Sequence, residues 1–406
     1  VRTCTQAINM TIDRQRRHLL LAGMGSMLPP AALGNETPRL PQPPASSTLH
    51  VGPGRSFARI GDAVRAARPG STILVDAGSY PGDTATIDKA GLSLRAIGGR
   101  VEIAAAGRAV EGKAIWVVRA ERISIEGFDF RETVVADRNG AGIRFERGSL
   151  RLRDCGFFYN QTGLLSGNDG LAVLEIENCE FGWNGFGDGQ SHQLYAGTIA
   201  RLTVSGSYFH HANDGQLIKS RAAESLILYN RLSDEIGGEA SYELEFPSGG
   251  RALAVGNLIQ QSSMTRNRTM VSFGAEGYAW RQNELRLAHN TLVDERPANG
   301  IYLFVRAGAS QAWAYNNLLV GGAARLSANN LIAEGNVRVD WDQLARPTRE
   351  DFRLRAGARA VGQAVPAALL PDAAMVPTRE YQHPRLSRPL IQPPRHPGAL
   401  QELAPV

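Results

Sequence analysis

IENCEF at 176–181 is followed by VSGSYF at 204–209, LYNRL at 228–232, VGNLI at 255–259 and AHNTL at 288–292. Each is the end of a short apolar strand, a polar or small pair, one further residue and a large apolar side chain. The phrase also precedes them as SIEGFDF (124–130) and LRDCGF (152–157), and follows as YNNLL (315–319) and ANNLI (328–332). Aligned on the second residue of the pair, the column reads Phe128, Cys155, Cys179, Ser207, Asn230, Asn257, Asn290, Asn316, Asn330. The steps are 27, 24, 28, 23, 27, 33, 26 and 14 residues, the 33-residue step holding an insertion and the last being much the shortest.

Self-similarity at such a period means a stacked repeat. The apolar positions alternate and Gly-rich turns punctuate them, so the unit is made of strands. Three short strands and three turns fill about 25 residues, one coil of a parallel β-helix whose coils stack at about 4.8 Å. Like residues then lie on like, and an inward asparagine can bond its neighbours through both ends of its amide. Leucine-rich repeats would need a different leucine spacing, and a propeller would need antiparallel hairpins. The expected fold is all-β: a right-handed, single-stranded parallel β-helix of about 9–11 coils. Cys155 and Cys179 fall one coil apart, as two small buried stacking residues or as a disulfide, which an oxidising compartment would permit.

Working outward, FARIGDAVRAAR (57–68) spaces Phe57, Ile60, Ala63, Val64 and Ala67 as one face of a helix, an N-terminal cap over the open first coil. Residues 14–34, RQRRHLLLAGMGSMLPPAALG, join paired arginines, a short apolar run and small residues, the pattern of an export signal of twin-arginine type. The predicted organisation is an export signal over 1–34, a Pro-rich linker over 35–48, the β-helix over 49–365 and a Pro/Ala-rich tail over 366–406. The location that follows is periplasmic or secreted.

The composition bounds the function. Of 406 residues, 43% are hydrophobic and 20% charged, enough for a large core. No apolar run reaches the length of a membrane helix. The net charge of +5 is partly local: Arg2, Arg14, Arg16 and Arg17 stand against Asp13 within the signal segment. No basic stripe interleaves with aromatics, so nucleic acid is not the expected partner. Cysteine and histidine spacing gives no zinc site. Lys+Arg number 44, yet the only lysines are Lys89, Lys113 and Lys219, which makes Lys219 conspicuous.

VGPGRSFARIGDAVRAARPGSTILVDAGSY (51–80) resembles the opening of right-handed parallel β-helix proteins of the pectate-lyase-like superfamily. DFRLRAGARAVGQA (351–364) resembles their closing coil, departing at Ala356 and Arg359. The resemblance implies a carbohydrate-active protein and leaves the chemistry open, since one fold hosts many activities.

The strand opening each coil gives the candidate site. In QLYAG (193–197), QLIKSRA (216–222) and SYELEF (241–246), alternation turns Tyr195, Lys219, Arg221, Glu243 and Glu245 outward. Stacking places them within about 5–10 Å of one another across three coils. His192 stands at the turn before the first of these strands, and His210 and His211 reach the groove edge from the preceding strand of the next coil. Trp280, in the insertion AEGYAWRQNE (275–284), offers a ring for a sugar, and Glu276 lies beside it.

These residue types suit a lyase that cleaves an acidic, uronate-containing polysaccharide by β-elimination. Arg221 clamps the carboxylate. Lys219 is the base, its proton loosened by the adjacent Arg221 charge. Tyr195 or His192 is the acid. Relatives implied by the resemblance often use such an Arg or Lys, sometimes with calcium, which Glu243 and Glu245 could hold. The alternatives are a glycoside hydrolase with Glu243 and Glu245 as its acid pair at about 7 Å, a uronate C5-epimerase sharing the first half-reaction, or a non-catalytic polysaccharide-binding or envelope protein. The bland reading is a solvated ladder of ion pairs.

Overall fold

The computed structural model describes residues 47–323 and 325–405. The expected export signal, Cys4 and the expected linker up to residue 46 lie outside them. Thr48 already belongs to a strand, Thr48–Val51, paired in parallel with Thr72–Val75.

Three stacks of parallel strands build a solenoid of about ten turns. One stack is a ten-stranded sheet running from Ala85–Ile87 to Arg325–Ser327. The other two form a single 21-stranded sheet, because Ser93–Ala104 crosses the corner between them and pairs with both Ile123–Glu126 and Phe128–Arg131. The large apolar residue of each phrase from 124–130 to 288–292 points inward, whereas Ile332 of the last phrase is exposed. Phe130, Phe157, Phe181 and Phe209 stack in successive coils, with the last two pairs at 4.5 Å between ring centres. Among the described residues, antiparallel strand pairs are confined to two hairpins beyond the coils, Leu344–Arg346 with Asp351–Leu354 and Arg379–Gln382 with Leu386–Pro389, apart from one isolated antiparallel bridge between Val110 and Ala114. The phrase at 351–364 therefore begins in a hairpin rather than in a further parallel coil.

The polar column is buried and continuous. Cys155 N–H donates to Cys179 Sγ (3.4 Å), Cys179 N–H to Ser207 Oγ (3.0 Å) and Ser207 N–H to Asn230 Oδ1 (2.9 Å). Both cysteines are free thiols. From Asn230 the column continues through Asn257 and Asn290 to Asn317 and Asn336. The last two differ from the expected Asn316 and Asn330. Thr291 pairs with Leu318, which sets Asn317 opposite Asn290. Leu331–Glu334 pairs with the 312–315 segment, so the next turn falls at Asn336; the short path from Asn316 to Asn330 cannot close a coil. Asn330 instead donates to the Ala309 carbonyl, and Asn316 bonds Val365, just before the tail.

Asn257 shows what the column contributes. Its Oδ1 accepts from the Asn230 N–H and Nδ2, and its Nδ2 donates to the Ile227 carbonyl and Asn290 Oδ1, all within 2.8–3.0 Å. Asn257→Ala removes these four buried hydrogen bonds and is expected to cost about 4 kcal/mol at about 1 kcal/mol each. Urea unfolding at neutral pH measures this, and a loss below about 1 kcal/mol would refute it.

A seven-residue helix, Ile60–Ala66, buries Ile60, Ala63 and Val64 against the first strands. Its first two N–H groups donate to the Asp83 carboxylate at 2.6 and 2.9 Å, which also suits the positive end of the helix. It is shorter than the expected 57–68 because Phe57 bridges to Val51 in extended conformation. The tail folds back along the coils. Met375 is buried against Tyr229, Val255, Ala288 and Tyr315, and Arg385 pairs with Asp154 and Glu180.

Candidate active site

The ten-stranded sheet carries the predicted strands in register. Tyr195 pairs with Lys219, Lys219 with Glu245 and Glu245 with Ser272, so one outward column crosses four coils. Inward, Leu194, Ile218 and Leu244 fill the core between them.

Side chains close this column into a network. Lys219 Nζ lies 3.2 Å from Glu245 and 3.1 Å from Glu276. Arg221 donates from Nε to the Tyr195 hydroxyl (2.9 Å), from one terminal nitrogen to Ser248 Oγ (3.0 Å) and from the other to Glu276 (2.7 Å). The Tyr195 oxygen is thus an acceptor toward Arg221, and its own hydrogen is free to be donated elsewhere. Gln216 donates to Glu245 at 2.9 Å. Burial pushes the Glu245 carboxyl up, and Lys219 opposes this. Glu276 is held below the usual carboxylate range: its ion pairs with Arg221 and Lys219 outweigh a burial that would push it up.

His192 stacks on Tyr195 with ring centres 5.6 Å apart. Burial, then the Lys219 and Arg221 charges, push its pKa down to about 3. Its Nδ1 accepts from the Gln216 N–H at 3.3 Å, so the neutral ring carries its proton on Nε2. Such a ring can donate a hydrogen bond from Nε2 and is not an imidazolium at neutral pH.

Other expected residues stand elsewhere. Glu243 is fully enclosed, accepts from Gln261 at 3.3 Å, and is pushed well up by burial and then by the Asp234 charge. Its neighbours are Gln261, Asp234 and Asp294, whereas Glu245 lies beneath Lys219. The two therefore do not face a groove together as an acid pair or as calcium ligands. No group of three or more His, Cys, Asp or Glu side chains among the described residues is arranged around a common metal position. His210 and His211 belong to another face. Their Nδ1 atoms are 2.8 Å apart, His210 Nε2 is 3.3 Å from Glu180, and Trp183 packs on both rings. Trp280 is half-buried, and its Nε1 donates to the Arg221 carbonyl (3.2 Å), which ties the 275–283 loop to the site.

Sequence reasoning missed Gln216 and Ser248, and it placed Glu276 only beside Trp280 in the insertion. Gln216 opens the same QLIKSRA phrase as Lys219, which was the available signal. Nothing local marked Ser248.

No family model matches the sequence, and no curated protein matches it. Solved structures do. Pectate lyase Pel9A superposes with a TM-score of 0.52 over 88% of this chain and 96% of its own, at 12% identity. An alginate lyase from a Paenibacillus species gives a TM-score of 0.45 over 72% of this chain and 99% of its own, at 13% identity. At such identity the likeness is one of fold: a right-handed parallel β-helix.

Proposed function

We propose that the chain is an exported enzyme, periplasmic or secreted, that cleaves an acidic polysaccharide by β-elimination on the Tyr195–Lys219–Arg221 face. One observation carries this reading: Lys219, on the strand Ile218–Ser220, and Arg221, just past its end, hold a single carboxylate between them, with the Tyr195 hydroxyl 2.9 Å from Arg221. A uronate carboxylate in that seat has its charge neutralised, which acidifies the C5 proton. With Arg221 carrying the neutralising charge, Lys219 is the base that takes that proton, and Glu245, 3.2 Å from Nζ, is placed to receive the proton that the ammonium gives up beforehand. The C5 electron pair forms the C4–C5 double bond, the C4–O bond breaks, and Tyr195 protonates the leaving oxygen. An epimerase would share the first half of this path.

A second reading has its own support. Both cations already have carboxylate partners, which suits a protein that binds a polysaccharide without turnover. A panel of uronate polymers, with and without calcium, separates the two. Rising ultraviolet absorbance from the unsaturated product is the expected result. Reducing ends without that absorbance would mean hydrolysis, and saturable binding with no product would mean a binding module.

A further inference from the structure

The seat between Lys219 and Arg221 is filled by the chain itself. Glu276 places one carboxylate oxygen 3.1 Å from Lys219 Nζ and the other 2.7 Å from an Arg221 nitrogen. Each oxygen takes one cation, as the carboxylate of a bound sugar acid would. Glu276 comes from outside the repeat: the step from Asn257 to Asn290 is 33 residues, against 27 on either side. The extra residues form the 275–283 loop. Glu276 sits on the solvent side of the pair, 47% exposed, while Lys219 and Arg221 are 12% and 21% exposed. An anion approaching from solvent meets Glu276 first.

The loop is anchored around this residue. The Glu276 N–H donates to the Pro247 carbonyl and the Ala279 N–H to the Ser248 carbonyl, both at 3.0 Å. Trp280 fixes one side through the Arg221 carbonyl, and Tyr278 the other through the Arg306 carbonyl at 2.6 Å. Gly274 and Gly277, at φ of 78° and 111°, flank Glu276 in conformations that favour glycine. The carboxylate can therefore turn out of the seat about its own side-chain torsions while these anchors hold. With Glu276 in place the two cations face two carboxylates, Glu245 and Glu276, and the site offers an incoming anion little net attraction.

We infer that Glu276 is a resident occupant of the carboxylate seat and sets which anions enter it. A uronate carboxylate on a polymer, held also by contacts of the flanking sugars, displaces it; a free small carboxylate does not. The uronate half of this inference rests on the function proposed above, whereas the occupancy of the seat does not.

Acetate is the probe. Wild type and Glu276→Gln are titrated with acetate by calorimetry at constant ionic strength. Gln keeps the shape and loses the charge. Glu276→Gln is expected to bind acetate at least about tenfold more tightly, and Arg221→Ala in that background is expected to abolish the gain. Equal acetate affinity in wild type and Glu276→Gln would overturn the inference, as would a gain that survives Arg221→Ala. Glu276→Asp guards against a loop disturbed by the amide: it keeps the charge but falls one methylene short of spanning both cations, and intermediate affinity is expected. On a cleaved uronate polymer, Glu276→Gln is expected to lower KM about tenfold with kcat little changed. If neither protein binds or cleaves any uronate polymer while acetate still distinguishes them, the lyase reading falls and the occupancy of the seat stands. If wild type cleaves the polymer and Glu276→Gln matches it in both KM and acetate affinity, only the occupancy falls.

Discussion

Lys219→Ala and Arg221→Ala are each expected to lower turnover of the uronate polymer by about 10³-fold or more while leaving the thermal melt almost unmoved. Positioned acid–base groups contribute about 10²–10⁴-fold, and removing one preorganised donor to a developing charge costs about 10²–10³-fold. Lys219 supplies the first effect and Arg221 the second. Neither side chain contributes to the core, which is built at these coils by Leu194, Ile218 and Leu244. The fold should therefore survive both changes, and Glu245, already pushed up by burial, can take a proton when Lys219 is gone. Arg221→Lys sharpens the test. It keeps a cation but loses the fork that reaches Tyr195, Ser248 and Glu276 together, so its rate should fall between wild type and Arg221→Ala. Rates within a few-fold of wild type in both alanine variants would remove this face from the chemistry.

What could be read from the sequence followed from periodicity, and what could not followed from long-range packing. The phrase ending in Phe181 and Phe209 set the coil, and alternation put Tyr195, Lys219 and Glu245 in one outward column, because register in a stacked parallel sheet is fixed residue by residue. YNNLL offered two adjacent asparagines, and only the pairing of Leu318 with Thr291 decides for Asn317. Glu243 has the same alternation as Glu245, yet it is enclosed. It stands where the chain turns into its strand, and Gln261, from the next coil, closes over it. His210 and His211 were misplaced for a related reason. The strand Tyr208–His210 lies on another face, and the tail that covers it, with Arg385 on Glu180 and His383 against Tyr208, comes from beyond the last coil. Glu276 needed the path of an inserted loop, which has no period to read.

The turn that encloses Glu243 holds the second large effect, a dependence of stability on pH set by Asp234. This carboxyl is fully buried, and burial pushes its pKa up to about 7. One oxygen accepts from the Ala240 N–H at 2.8 Å and from Thr265 Oγ1 at 2.9 Å, while the other has no partner. In the unfolded chain the group ionises near its ordinary value of about 4. The folded state therefore binds a proton that the unfolded state releases. Its contribution to stability is full below about pH 4 and is lost as pH rises through about 7. A rise from about 4 to about 7 corresponds to about 4 kcal/mol. Asp234→Asn cannot ionise, its amide oxygen can accept both existing hydrogen bonds, and its NH₂ group replaces the unpartnered oxygen. The stability of Asp234→Asn minus that of wild type should therefore grow by about 4 kcal/mol between pH 4 and pH 8. Glu243 and Asp294, the neighbouring buried carboxyls, are also pushed up, and each loses stability in the same direction. Both remain in the variant, so the difference between the two curves isolates Asp234 apart from its repulsion with Glu243. Urea unfolding at pH 4, 6 and 8 measures it. A flat difference would mean that Asp234 ionises in the folded protein near its ordinary value, with a cation or water supplying what its unpartnered oxygen lacks.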